Sequence, residues 1–495
     1  MNARTPVIVG VGQLRSNRER TVEGAREPLD LLVSAIREAA RDAGAPQLLA
    51  HVDAVHAVKV ASWAYADLAA IVGRAIGAAP RTCVDTDLGG HHPVRLLEQA
   101  ASAIWAGDSD VALVVGAEAQ ASVSLLGKVG IDPVADLGWS ASPGGAPHFD
   151  PDQLGSAAMQ QAGLVLPTRV YPMYENRLQA DLSLTPEEGA AWSAQLYADL
   201  SVVAAGQPAA WNQQALSATE VGQVGVDNRI VCEPYPLSMN AMPHVDQAAA
   251  LIITSLGKAR ELGLVDLVYV WGGAGADDDP DVLARRDFSS ARALTVTLHR
   301  VLAVTGAEPD LFDVYSCFPV VPKLAGIALG LPRDATLSVT GGHSSFGGPL
   351  NSYSVHALCA MTDRLRATGG TGLVHANGGH LTYQHALVLS SRPHPDGYVG
   401  SPTPQAISYD DSPSVLTVTD QVVVVETATV EHDRAGVPRQ AFLVARTVLG
   451  ARLATSTPLG NVPAASVLSL SSLPLGLTTH VGRRVRVTDG IVTFA

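Results

Sequence analysis

Lysine is nearly absent from this 495-residue chain. Only four are present, so almost all the positive charge is arginine. Basic residues number 33 against 47 acidic ones, a net charge of −14. That balance argues against nucleic acid or an anionic membrane surface as a general partner. A local basic pocket for phosphate stays compatible with it. Cysteine is equally scarce: Cys83, Cys232, Cys317 and Cys359 lie far apart, with no CxxC pair and no metal-finger spacing. With no secretory leader ahead of a strand-like stretch over 7–11, the thiols are expected to be reduced and the protein soluble and cytoplasmic. No apolar run approaches the ~20 residues needed to span a bilayer. Aromatic residues make up 5% and charged residues 16%, whereas 47% are hydrophobic and 46 are glycine. Such a chain has material for sizeable cores and is not a disordered one.

Short apolar runs alternate with helical patterns in the first 120 residues. Strands are expected over 7–11, 52–60 and 111–116, and helices over 28–43 and 93–106, ended by Gly44 and Gly107. A similar order returns after residue 265. It has strands at 267–270, from Asp313 and at 372–376, with helices over 291–305 (ended by Gly306) and 351–366. Each half has a Gly-Gly turn before a helix, Gly89-Gly90 and Gly347-Gly348, and each opens a strand with Asp, at Asp53 and Asp313. Two matches in the same order indicate a duplicated α/β unit. Helix N-termini at both Gly-Gly loops would then face one shared site.

The division expected is an N-terminal half over 1–120 and 244–264, an insert over 121–243 and a C-terminal half over 265–391. A linker rich in Pro and turn residues over 392–413 precedes a small all-β barrel over 414–495. The insert reads as a mostly helical lid, with one clear helix start at Thr185-Pro186-Glu187-Glu188.

The duplicated halves, helical insert and Gly-rich loops resemble the thiolase superfamily, especially its bacterial thiolase-like and SCP2-thiolase-like proteins. The most specific stretches are Asp227-Asn-Arg-Ile-Val…Asp246-Gln-Ala-Ala-Ala, Gly341-Gly-His-Ser-Ser-Phe-Gly-Gly-Pro and Gly372-Leu-Val-His-Ala-Asn-Gly-Gly. The C-terminal region looks like an OB-fold domain fused to such a protein. The resemblance implies stacked βαβαβ halves, a coenzyme A thioester as ligand, no covalently bound cofactor, and usually a homodimer. The fused domain leaves a monomer open. An acetyl-CoA acetyltransferase label is what the family would suggest.

The family's chemistry does not carry over residue by residue. Its nucleophilic Cys falls on Gly90, its activating His on Gly348, and its second Cys on Ala376. The loop at the reaction centre reads Tyr315-Ser316-Cys317-Phe318. Glycine and alanine supply neither nucleophile nor base, so Cys-dependent thiolysis or condensation is not expected.

Several residues remain as candidates. Tyr315, where the family places Asn or His, is a candidate acid or base provided its pKa is lowered. Tyr353 is a second hydroxyl and Cys317 a pocket thiol, although a buried structural role suits each. His343 lies in the Gly-rich loop but out of register with the lost His. Gly90, His91, Gly348, Asn377, Gly378 and His380 are candidates for holding the thioester and its oxygen, because Gly permits close backbone approach. His91 and His92 read equally well as solvated turn residues. His375, His380 and His385 are only weakly spaced for a metal, and no metal site is expected. Two functions stay open: carbon–carbon bond cleavage or formation on a CoA thioester through Tyr315, and a catalytically silent acyl-CoA-binding or scaffolding subunit.

Overall fold

The computed structural model describes residues 2–148, 155–416, 418 and 421–495. Met1, 149–154 inside the insert, and 417, 419 and 420 in the C-terminal region lie outside the described residues. In chain order the strands are β1 (Pro6–Arg15), β2 (Ala54–Ala57), β3 (Thr82–Asp85), β4 (Val111–Ala119), β5 (Ile230–Cys232) and β6 (Tyr235–Pro236). Next come β7 (Asp246–Ser255), β8 (Val268–Asp277), β9 (Leu311–Val314), β10 (Thr371–Gly378), β11 (Tyr383–Ser390) and β12 (Ser401–Ala406). The C-terminal region adds β13 (Val415–Leu416), β14 (Val423–His432), β15 (Pro438–Arg446), β16 (Arg452–Ser456), β17 (Arg484–Thr488) and β18 (Ile491–Phe494).

The duplication is visible in the strand pairing. One half runs β2-β4-β7-β1 and the other β9-β10-β11-β8. In each, the first pair is parallel and the next two are antiparallel. The halves meet where β1 pairs with β8 at Val7↔Tyr269 and Ile8↔Val268. Every residue of β4 is buried, which is why Val111–Ala119 reads as a continuous apolar run rather than an alternating one.

Equivalent helices follow the same logic. His92–Ala106 ends on Gly107 in the left-handed conformation (φ 86°), and Arg292–Thr305 on Gly306 (φ 58°), a conformation that glycine adopts without a Cβ penalty. His92–Ala106 and Tyr353–Thr368 lie between the halves, each touching strands of both. Their N-termini converge on the two Gly-Gly loops.

The insert contributes the helices Pro167–Asp181 and Pro186–Ala205. The second begins with a capping box in which the Thr185 and Glu188 side chains each accept the other's backbone N–H. A fully buried ion pair fixes the insert to the body. Lys323 Nζ, from the helix Val320–Ala328, lies 2.6 Å from Glu175 Oε1 and 2.6 Å from Ser193 Oγ.

Two expectations need correcting. The C-terminal region is not a closed barrel but an open sheet in the order β13-β16-β15-β14-β17-β18, and β5 of the insert bridges to β14 at Glu431↔Cys232. The reason lies in β15, whose two faces serve different cores. Phe442 and Val444 pack into the core of the body, and Leu443 and Ala445 into a small core of the region's own. A sheet whose inner face already lies on Pro167–Asp181 has no apolar lumen to enclose. Asn176 Nδ2 donates to Ala428 O at 2.8 Å, and Thr427 Oγ1 to Met173 O at 2.7 Å. The second correction concerns the linker over 392–413, which is partly a strand: β12 runs parallel to β8 on the main sheet. Among the described residues no helix is long and apolar enough to cross a membrane.

Candidate reaction centre

Strand β9 delivers the loop Tyr315–Phe318 to the N-terminus of His92–Ala106. Asp313 anchors that delivery, its Oδ2 accepting from Ser338 Oγ (2.8 Å) and from the N–H groups of Val339 and Thr340 (3.0 Å each). Burial pushes the Asp313 carboxyl up to about 6. From the insert, Tyr197 Oη donates to Ser316 O at 2.8 Å. The loop is thus held on two sides.

The central fact is where the Tyr315 hydroxyl goes. A Cβ built on Gly90 would lie 2.2 Å from Tyr315 Oη, 2.8 Å from Tyr315 Cζ and 2.7 Å from Asn377 O. Tyr315 therefore fills the space in which a side chain at position 90 would begin. The phenol is buried and makes no hydrogen bond among the described residues. Burial, with Cys317 nearby, drives its pKa well above the usual tyrosine value. The expectation of a lowered pKa is thus corrected: desolvation disfavours the phenolate, so the group keeps its proton and can donate it in a hydrogen bond.

The other candidates are largely engaged. Gly348 N–H donates to Met242 O at 2.8 Å, and a Cβ at Gly348 would meet Ala241 Cβ at 3.2 Å and His343 O at 3.3 Å. Asn377 Nδ2 donates to Tyr171 Oη at 2.8 Å, while its Oδ1 accepts from Gln384 Nε2 at 2.6 Å. Of the backbone N–H groups expected near Gly348 and Gly378 to hold the thioester oxygen, that of Gly348 thus already has an internal acceptor, as does the Asn377 side-chain amide. A Cβ at Gly378 would meet His91 Nδ1 at 2.2 Å. The His91 ring is buried against Tyr383 and His92, and burial holds it neutral. His91 is thus a packed core residue, not a solvated turn residue. His380 stands edge-on to Tyr171, and its carbonyl accepts from Arg285 Nη1 at 2.7 Å.

Cys317 sits beside the Tyr171 hydroxyl, and burial pushes its thiol up to about 12, so it is no thiolate at neutral pH. Tyr353 is pinned, its hydroxyl accepting from Gly342 N–H at 3.1 Å. The three histidines of the β10–β11 region go to different partners: His375 Nε2 to Gln384 Oε1 at 2.8 Å, His385 to buried Glu98, and His380 to the Tyr171 ring. Among the described residues no group of three His, Cys, Asp or Glu is placed to hold a metal ion.

His343 is the residue that register reasoning set aside and the structure brings in. Its ring stacks on Tyr353 at 3.5 Å and meets Tyr315 at 4.2 Å, with Nδ1 3.3 Å from Ser316 Oγ. A single π-helical turn over Gly342–Phe346 brings it there, bracketed by positive φ at Gly341 (114°), Gly342 (76°) and Gly347 (119°). Such turns displace a side chain from its ordinary register. The glycines on both sides were the only local signal. Tyr171 and Tyr197, from the insert, had none.

Burial of these rings has a pH consequence. Desolvation pushes His375 down to about 4, against about 6.5 in an unfolded chain. The unfolded state therefore binds more protons as pH falls below about 6.5, and stability is lost in that window. Urea unfolding at about pH 7 and about pH 5 should show His375→Gln losing about 2 kcal/mol less than the unaltered protein.

Known proteins share this fold. Residues 402–487 match the family described as thiolase-like protein type 1 additional C-terminal domain. The crystal structure of a monomeric SCP2-thiolase-like protein type 1 from Mycobacterium smegmatis is 26% identical, with a TM-score of 0.78 and 100% coverage of both chains. Acetyl-CoA acetyltransferase 2 of Arabidopsis thaliana is 30% identical over 157 residues, which are 30% of this chain and 36% of that protein. The chain thus spans about a third of the length of the curated relatives it matches. The Ltp2-ChsH2(DUF35) aldolase shares the fold, with a TM-score of 0.57 at 19% identity over 78% of this chain and 97% of that one.

Proposed function

We propose that the chain is a thiolase-superfamily protein, like the SCP2-thiolase-like protein type 1 it resembles over its full length, and that it binds a CoA thioester without Cys-dependent acyl transfer. One observation carries this reading: the Tyr315 hydroxyl occupies the space in which a side chain at position 90, where the resemblance puts the nucleophile, would begin. Three further facts support it. Gly348 offers no base, Cys317 is held as a thiol, and the centre is packed with buried side chains. Acyl transfer through a thioester needs a nucleophile with an adjacent base, and neither stands here. The monomeric relative favours action as a single chain rather than as the family's dimer. A cytoplasmic location belongs to the same proposal.

A second reading rests on the Tyr315 phenol, a protonated donor without a partner at the reaction position. Once a substrate opened the centre, the phenol would donate to the thioester oxygen as the Cα–Cβ bond broke, with the β-hydroxyl proton passing to water and the enolate then taking a proton at Cα. Mass-resolved turnover of β-ketoacyl-CoA and β-hydroxyacyl-CoA panels, with and without free CoA, separates the two. Binding with every ester recovered intact is the expected result. Release of an aldehyde or ketone, reduced about 100-fold or more in Tyr315→Phe, selects the second reading. CoA-dependent thiolysis overturns both.

A further inference from the structure

Cavities of appreciable size open elsewhere, between the insert and the C-terminal half. One of about 190 Å³ lies between the helices Pro186–Ala205 and Val320–Ala328. A depression of about 540 Å³ adjoins it, sharing Leu196 and Leu337. The smaller cavity is lined mainly by apolar side chains, among them Leu196, Pro322 and Leu331. Its rim leaves Ile327 50% exposed and Leu182 38% exposed. Apolar surface wetted in this way gains free energy when an apolar group covers it.

Charge at the cavity is one-sided. Two cations flank Trp192: Lys323 Nζ and the Arg333 guanidinium each lie 4.5 Å from its ring centroid. Lys323 is neutralised by Glu175 inside the fold. Arg333 is exposed and makes no hydrogen bond or salt bridge among the described residues. Its planar donors, already oriented on the Trp192 face, suit the two oxygens of a carboxylate. Asp199 and Asp334 line the adjoining depression, so an anionic head is repelled there and directed to Arg333.

We propose that this cavity binds a medium-chain carboxylate, with its head on Arg333 and its alkyl chain among Leu196, Pro322 and Leu331. None of its lining residues is one of the reaction-centre residues described above. A ligand there would touch the insert and the C-terminal half together, and so would raise the melting temperature. Octanoate and octan-1-ol serve as probes, followed by calorimetry and by tryptophan fluorescence in the native chain and in Trp192→Phe. Octanoate is expected to bind saturably at one site and perturb the fluorescence only when Trp192 is present. Octan-1-ol, lacking the charge, should bind about tenfold or more weakly. Arg333→Gln should bring octanoate down to the alcohol's affinity and leave the alcohol unchanged. Absence of saturable octanoate binding, equal affinity for the two probes, or unchanged octanoate affinity in Arg333→Gln overturns the proposal.

Discussion

Replacing Glu426 by Gln is expected to lower the stability of the C-terminal sheet by about 3–5 kcal/mol, the range for leaving a buried charge without its partner. Arg452 is completely buried, with Nε 2.8 Å from Glu426 Oε2 and Nη2 2.6 Å from Oε1. It also donates across to the carbonyls of Leu283, Arg285 and Arg286 in the C-terminal half. Arg446, closer to the surface, reaches the same carboxylate at 3.0 Å. One Glu thus balances two arginines at the seam between the body and the added sheet, and a neutral amide cannot. Thermal unfolding followed together with limited proteolysis should show the C-terminal region cleaved at lower temperature in Glu426→Gln. The paired change Glu426→Leu with Arg452→Met should recover much of the loss, because it removes both charges. Equal loss in the single and paired variants would mean that packing, not charge, holds the seam.

Restoring a cysteine at position 90 is expected to destabilise the protein without yielding a thiolase. The new Cβ would start 2.2 Å from Tyr315 Oη and 2.7 Å from a backbone carbonyl. Overpacking of this kind costs about 1–3 kcal/mol. The thiol would also lack the family's activating His, since position 348 is glycine, and burial disfavours the imidazolium that His343, beside Tyr315, would become on taking its proton. Intact-mass spectrometry of Gly90→Cys after incubation with acetyl-CoA should show no acetyl adduct. A stoichiometric adduct removable by free CoA would mean that the centre retains an activating group.

Much of the architecture was legible in the sequence because it is written in local signals. The glycines at 107 and 306 stop helices where a left-handed residue is needed, the Thr185–Glu188 pair starts one, and Asp53 directly precedes β2, although Asp313 lies inside β9 rather than at its start. The repeated order of these signals was enough to expose the duplication. The proposed loss of nucleophile and base is read from the sequence alone, since it depends only on which residues stand at the mapped positions. The open C-terminal sheet was missed, although its signal was present: Ala441-Phe442-Leu443-Val444-Ala445 is apolar without alternation, as two-sided burial requires. The filling of the centre was not readable at all. That Tyr315 reaches into the place of a side chain 225 residues upstream, and that Asn377 is turned to Tyr171, are outcomes of tertiary packing with no local periodicity. His343 was lost for a different reason: one π-helical turn breaks the register on which counting depends.

The account turns on Tyr315 standing where the nucleophile's side chain would stand, and a double-mutant cycle between Gly90→Ala and Tyr315→Leu measures that directly. Gly90→Ala is expected to cost about 1–3 kcal/mol in the native background and at least about 1 kcal/mol less once the phenol is gone. Equal costs in the two backgrounds would contradict it, because position 90 would then be closed by something other than Tyr315.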